Sequence, residues 1–325
     1  QAGYATAIAG KWQLYGTNTR LPEDKGTGYH PGAAGFDEYC LWQLDVLRKN
    51  GERYADPLID RKGIGAKSLK DAYGPEVFTD FILEFIEKKK DTPFFVYYPM
   101  ALTHDPFVPT PDSEEWGDGD RYKKDTKHFV DMVAYMDKSV GRIIDKLEVL
   151  GLRENTLVIF TGDNGTHRSI YSKMSDGRMV KGNKGHPDDG GTHVPLIANW
   201  PGVIDSAQVN DNLIDFSDFL PTLVEVADAT LPQDRILDGQ SFWGQLQGLS
   251  VASREWVFCH YDTLWGNFKA SRFARTKRWK LYGDGRFFDV SADVLEKNSI
   301  SKDALTADSL KTHAKLQAVL DRMHQ

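Results

Sequence analysis

The run 157–160, Leu-Val-Ile-Phe, followed at once by Thr-Gly-Asp-Asn-Gly-Thr-His, constrains this chain more than any other stretch. An uninterrupted apolar run of this length suits a strand buried on both faces, as in a parallel sheet. Such a strand delivers Asp163 and Asn164 to its carboxyl end, and in an open α/β sheet ligands sit in the crevice beyond those ends. A carboxylate and an amide oxygen are hard ligands, suited to calcium or magnesium. Taken alone, Asp-Asn-Gly is as readily a simple turn after a strand.

The segments around it shift that balance. Gly182-Asn183-Lys184-Gly185 brackets a lysine with glycines, and Asp189-Gly190-Gly191 precedes the next apolar run. Glycines let backbone approach a ligand closely, and a lysine among them reaches an oxyanion. Near the N-terminus, residues 3–12 read as a short strand with Ile8 buried, opening into a glycine turn that presents Lys11, with Gln13 two residues on. By itself Lys11 reads as a solvated surface lysine. Residues 93–99, Pro-Phe-Phe-Val-Tyr-Tyr-Pro, read as a buried strand, and His104 follows its end before Pro106. Alone, His104 reads first as a loop histidine.

Together these motifs resemble the sulfatase family. The family's counterpart of the central stretch has a Ser/Thr-Asp-Asn-Gly turn, a Gly-Lys-Gly segment and a Glu-Gly-Gly-x-Arg-x-Pro segment. Tyr-x-Thr-x-x-x-Gly-Lys-Trp, carried here by Tyr4, Thr6, Gly10, Lys11 and Trp12, is similar to its Gly-Lys-Trp-His-Leu-Gly signature. His104 is similarly placed to the histidine of its Pro-His-x-Pro segment, Gly35-Phe36-Asp37 looks like its Gly-Phe-Asp segment, and the run 287–290 is similar to its Leu-Tyr-Asp-Leu. The resemblance implies Lys11, His104 and Lys184 as catalytic residues. Lys11, Gln13, His104 and Lys184 would contact the substrate, and Asp163 and Asn164 would hold the metal. It implies calcium as cofactor, with magnesium as the alternative, and a small-molecule or carbohydrate sulfate ester as substrate. Three positions depart from the pattern: Gln13 replaces a histidine, Asp189 a glutamate and His193 an arginine. An amide at position 13 donates a hydrogen bond but exchanges no proton near neutral pH, so an acid–base role there is lost or reassigned.

At 325 residues and 36.6 kDa the chain can bury about 75% of its unfolded surface, enough for one large domain and a small appendage. Its net charge of -7 and the lack of a basic stripe argue against nucleic acid as main partner. The longest apolar-rich run, 94–102, falls far short of the roughly 20 residues a membrane span needs. Cys40 and Cys259 are too few for a disulfide framework, although one bridge between them stays open. Helical spacing predicts amphipathic helices from Pro75 and over 128–151, the latter with Met132, Val133, Met136, Val140, Ile143, Ile144 and Leu147 on its apolar side. The stretch from Tyr39 to Gly74 reads as a polar excursion, and 194–200 as a further buried strand. The expected fold class is α/β: a mostly parallel central sheet sandwiched by helices, alkaline phosphatase-like, over 1–248. A small C-terminal antiparallel sheet plus helix subdomain follows over 249–325, with strands near 256–261, 271–276, 279–282 and 286–289 and a helix near 308–322.

The family also carries, upstream of Gly-Lys-Trp, an Asp-Asp pair that completes the metal site and a Cys/Ser-x-Pro-x-Arg motif whose first residue becomes formylglycine. Neither pattern occurs here: Cys40 is followed by Leu-Trp-Gln-Leu and Cys259 by His-Tyr-Asp-Thr. The chain begins at Gln1 without a methionine or leader, so the expectation is a sulfuric ester hydrolase lacking its N-terminal part, and with it the nucleophile. Two other readings stay open. One is a phosphate or phosphonate ester hydrolase of the same superfamily; the other is a non-catalytic, truncated protein that binds anionic glycans.

Overall fold

The computed structural model describes residues 2–15, 28–42, 44, 52–117, 120–262 and 268–323. They form two compact units, Gly3–Thr156 and Leu157–Gln325.

The first unit is built on strand β1, Ala5–Lys11, whose Ala7, Ile8 and Ala9 are fully buried. Alternating small residues let a helix lie close on it. Strand β2, Glu38–Trp42, pairs with β1 in parallel; β3, Leu58–Arg61, and β4, Gly65–Ser68, add an antiparallel hairpin beyond it. Helix α1, Gly74–Lys89, buries Phe78, Phe81, Ile82, Phe85 and Ile86 against the sheet, with Glu76 in its first turn and Lys88 and Lys89 in its last to complement the helix dipole. Strand β5, Phe94–Tyr97, pairs in parallel with the other side of β1, giving the order β4-β3-β2-β1-β5. After the one-turn helix α2, Glu114–Gly117, the long helix α3, His128–Val149, packs on α1.

Parallel pairing of β2, β1 and β5 puts their carboxyl ends at one edge of the sheet. The hairpin β3–β4 lies inside the stretch that reads as an excursion; its exposed Gly-Ala-Lys-Ser strand has no apolar alternation to betray it. Two burial expectations change. β5 is an edge strand among the described residues, and Phe95 and Tyr97, which share one of its faces, are exposed. In α3 the buried residues are His128, Met132, Tyr135, Ser139 and Leu147, while Val133 faces outward.

The second unit opens with β6, Val158–Thr161, and continues through the hairpin of β7, Tyr171–Lys173, and β8, Met179–Lys181. One-turn helix α4, Asp189–Thr192, leads into β9, Leu196–Asn199. β6 pairs with β9 antiparallel, Thr161 opposite Leu196 and Val158 opposite Asn199, rather than within a parallel run. The apolar run alone leaves strand direction open; the connection 162–195 starts and ends at the same end of the pair, which dictates antiparallel. Both strands are half-buried, with Ile197 exposed.

Helix α5, Phe219–Val226, and the one-turn α6, Trp243–Leu246, precede the last sheet. Strands β10, Val257–Tyr261, β11, Ser271–Arg275, β12, Trp279–Tyr282, and β13, Phe287–Asp289, form an antiparallel meander in sequence order. Helix α7, Ala307–Arg322, covers one face with Leu316, Val319 and Leu320 against Ala274, Leu281 and Phe287. Thr306 and Ser309 form a capping box at its start. The other face gathers Phe273, Tyr282, Phe288 and Val290. The change of sequence texture near residue 248 thus marks the approach to this meander, whereas the compact units part between Thr156 and Leu157.

Candidate active site

In the first unit the candidate residues gather at the carboxyl ends of β1, β2 and β5. Lys11 is the last residue of β1, and its N–H donates to Pro99 O at 2.8 Å, so the chain leaving β5 runs beside it. This approach needs a glycine before Lys11: Gly10 has φ +119°, and a Cβ there would meet Pro99 O at 2.2 Å. Lys11 is half-buried and Gln13 exposed. The Gly-Phe-Asp turn is tied to the same strand, since Thr6 donates to Asp37 Oδ2 from its backbone N at 2.9 Å and its Oγ1 at 3.1 Å. Those hydrogen bonds hold the Asp37 carboxyl below its ordinary pKa. Phe36 packs edge-on to Trp12, partly buried against the cluster around Ile8 and Leu41.

His104 sits in the loop after β5. The buried Tyr54 hydroxyl lies 2.7 Å from Ala101 O and 2.5 Å from His104 O, sharing its one proton between the two carbonyls and fixing that loop from within. Burial pushes the Tyr54 phenol well above its ordinary pKa, so it stays a donor. His104 Nδ1 lies 2.7 Å from Asp105 O and 3.1 Å from Asp105 Oδ1, with Arg53 NH1 at 3.1 Å and the Arg53 guanidinium 4.3 Å over the Trp42 ring. Nδ1 is therefore the nitrogen engaged by this polar cluster.

In the second unit the turn after β6 and the lysine loop are stitched by backbone. Gly165 N donates to Gly191 O at 2.9 Å, Lys184 N to Thr166 O at 3.0 Å and Gly182 N to Ile170 O at 3.0 Å. A Cβ on Gly182 would stand 2.3 Å from Thr166 O and 2.5 Å from His167 O, so this contact excludes other residues. Asp163, exposed, and Asn164, half-buried, are thus held beside the loop that carries Lys184. Neither the Asp163 carboxylate nor the Lys184 ammonium has an ion-pair or hydrogen-bond partner among the described residues. Charges left uncompensated on a glycine-bound frame are available to a ligand.

The lysine loop is gripped from the C-terminal meander. Lys280 on β12 is fully buried; its Nζ donates to Pro187 O at 2.6 Å and to Glu296 Oε1 at 2.7 Å, and stands 3.9 Å above the Phe273 ring. Burial pulls its pKa down more than the Glu296 carboxylate raises it. Arg275 on β11 pairs with Asp189, and Asn183 donates to Asp188, whose second carboxylate oxygen is buried without a partner. His193 is 75% exposed, its Nδ1 3.9 Å from Asp189 Oδ2, and so lies outside this cluster.

Sequence reasoning proposes Lys11, Gln13, His104, Asp163, Asn164 and Lys184, of which the first three lie in the first unit and the others in the second. It misses Arg53, Tyr54, Arg275 and Lys280, which come from stretches without a motif and act across 47 to 93 residues of chain. Both cysteines are free thiols: Cys40 is buried in β2, where desolvation pushes it up to about 12, and Cys259 is also raised by burial.

Residues 1–229 match the sulfatase family model, and residues 186–325 match the model for N-sulphoglucosamine sulphohydrolase, C-terminal. The chain belongs to the sulfatase family. It is 31% identical over 253 residues to an arylsulfatase of Hemicentrotus pulcherrimus, covering 74% of this chain and 44% of that protein. It is 28% identical over 349 residues to the human (Homo sapiens) N-acetylgalactosamine-6-sulfatase, covering 98% of this chain and 60% of that one. The chain thus spans about half the length of the curated relatives it matches. Among solved structures, Ps i-CgsB superposes with a TM-score of 0.70 at 21% identity, covering 97% of this chain and 71% of that one. BT4656, solved with its substrate D-glucosamine-2-N,6-O-disulfate, superposes at 0.68 with 19% identity, covering 99% and 80%. These neighbours establish the alkaline phosphatase-like sulfatase fold for this chain.

Calcium takes six to eight oxygen ligands. Asp163 and Asn164 offer two hard donors with an unpaired carboxylate, and no group of three His, Cys, Asp or Glu that could hold a metal exists among the described residues. The residues present fit a share of such a site. Among the described residues no helix is long and apolar enough to cross a membrane.

Proposed function

We propose that this sulfatase chain carries the electrostatic half of a site that hydrolyses sulfate monoesters on a carbohydrate or an aryl group. The observation that carries the reading is that Asp163 and Lys184, neither with a side-chain partner among the described residues, stand on glycine loops joined by backbone hydrogen bonds in a sulfatase. The relatives' names, arylsulfatase and N-acetylgalactosamine-6-sulfatase, support the ester class.

In this reading Lys11 and Lys184 hold the nonbridging sulfate oxygens, which carry the ester's negative charge, while new charge develops on the leaving oxygen as its bond to sulfur breaks. His104 gives a proton to the leaving oxygen. Gln13 contributes a hydrogen bond and no proton transfer. Asp163 and Asn164 would ligate calcium, or magnesium, which when bound supplies positive charge to the sulfate and to the attacking group. The attacking group that the family uses, formylglycine, has no motif among these 325 residues, and the thiols of buried Cys40 and half-buried Cys259, both raised by desolvation, do not replace it.

The test is turnover of an aryl sulfate and of a monosulfated sugar by the full-length protein and its Lys184→Ala and His104→Ala variants. Each substitution should lower kcat by about 100- to 1,000-fold, corresponding to about 2.7 to 4 kcal/mol for a preorganised group. A variant that keeps more than a tenth of the wild-type rate refutes the role given to that residue. Faster turnover of the matching aryl phosphate would favour the phosphoesterase reading instead.

A further inference from the structure

The connection between the metal-ligating turn and the lysine loop is longer than the turn chemistry requires, and its charge is opposite to that of the chain. Residues 166–186 contain Arg168, Lys173, Arg178, Lys181 and Lys184 against one acid, Asp176, in a protein of net charge -7. Asp176 is taken by Arg178 across the hairpin turn, Nε to Oδ2 at 2.5 Å. Arg168, Lys173, Lys181 and Lys184 then have no carboxylate within ion-pair distance among the described residues. Elsewhere in the second unit Arg235, Arg254, Arg275, Arg278 and Arg286 each face an aspartate.

Aromatic rings, not acids, hold two of these cations, Arg168 and Lys181. The Arg168 guanidinium stands 5.4 Å from the Phe268 ring, with NH1 3.4 Å from His186 Nε2, and His186 is itself edge-on to Phe268 at 5.6 Å. Lys181 Nζ lies 5.6 Å from the Tyr171 ring. A cation–π contact fixes direction without cancelling charge. In the β7–β8 ladder Tyr171 is opposite Lys181 and Lys173 opposite Met179, so all four share one face of the ribbon. Tyr171 and Met179 are exposed there. The face therefore offers two diagonal lysines with an apolar platform between them, and β8 runs straight into Gly182 and Lys184.

We infer that this ribbon face, with Arg168, is a second anion-binding surface for sulfate groups flanking the one that Lys184 holds, on a polysulfated oligosaccharide. The inference rests on the proposed sulfate ester reading and deepens it. One scissile monoester needs the lysines already assigned; further cations directed outward along an exposed ribbon fit further sulfates on the same chain, with the apolar sugar faces on Tyr171 and Met179.

Binding and turnover test it separately. The probe is a highly sulfated heparin octasaccharide, titrated against full-length wild type, Arg168→Ala, Lys173→Ala/Lys181→Ala, and a control Lys302→Ala/Lys311→Ala that removes exposed charges near α7. Each exposed cation should account for roughly threefold to fivefold in affinity. The ribbon variants should bind less tightly, with a shallower salt dependence, while the control matches wild type. In turnover, the fall in kcat/KM on a polysulfated oligosaccharide should exceed the fall on an aryl sulfate by at least threefold. Equal loss in the control pair, no loss in the ribbon variants, or equal affinity for a single-stranded DNA of matched charge would overturn the inference. Absence of turnover on every sulfate ester would instead sink the underlying activity reading, and the binding titration would still decide this one.

Discussion

Replacing Lys280 by methionine removes one ammonium and keeps most of the side-chain volume, so its effect isolates charge. The ammonium is fully buried and its partner Glu296 has only 6% of its side chain exposed. After Lys280→Met the Glu296 carboxylate keeps the Tyr282 hydroxyl as donor but has no cation, and Pro187 O loses its 2.6 Å bond. Breaking a buried pair by removing one member costs about 3 to 5 kcal/mol, because the other charge stays buried and uncompensated. Replacing both members by apolar groups removes that penalty, so Lys280→Met/Glu296→Leu should be more stable than Lys280→Met alone. Urea unfolding of the four proteins of this cycle, followed by tryptophan fluorescence, measures both quantities. Trp279, stacked on Phe287 at 5.2 Å, reports from the same meander. A single-substitution cost below about 1 kcal/mol, or a double variant whose cost is the sum of the singles, would refute the reasoning.

Two further outcomes follow from the site. Asp163→Ala in the full-length protein should lose bound calcium by elemental analysis while keeping its circular dichroism, since Asp163 is exposed and makes no contact that holds the fold; unchanged metal content would remove Asp163 from the site. A Cys40 thiol pushed up to about 12 is on the order of one part in 10⁴ ionised at pH 8, so native protein should leave Cys40 unlabelled by a thiolate-selective disulfide reagent that modifies both cysteines in urea. Rapid modification of Cys40 in the native protein would show that β2 does not shield it.

How much could be read beforehand depended on the range of each interaction. Helix α1 and the C-terminal strands were legible because their burial follows local periodicity: Phe78, Phe81, Ile82 and Phe85 at helical spacing, short apolar runs between glycine turns. Asp163, Asn164 and Lys184 were legible because one contiguous stretch carries them and glycines mark the close contacts. Strand partners were not. Nothing in Val-Ile-Phe-Thr says that its neighbour is antiparallel β9, and the polar β3–β4 hairpin has no pattern at all. Arg53 reaches His104 and Lys280 reaches Pro187 only once the chain is folded, so their roles have no local signature.

The departures from the family pattern at Asp189 and His193 make sense in the same long-range terms. Where the family pattern has an arginine four residues after the acid, the side chain here is a histidine that faces solvent. The cation beside the shorter Asp189 carboxylate comes from Arg275 on β11, and the next carbonyl but one, Pro187 O, is taken by Lys280 on β12. Two neighbouring strands of the C-terminal meander thus supply charge to the loop that presents Lys184. A chain cut at the texture change near residue 248 would lose both grips, leaving a largely buried carboxylate without its counter-ion and Pro187 O without its donor. The meander is therefore part of what fixes the position of Lys184, and substitutions in it should reach the lysine loop through the backbone they hold, at Pro187 O and the Asp189 segment.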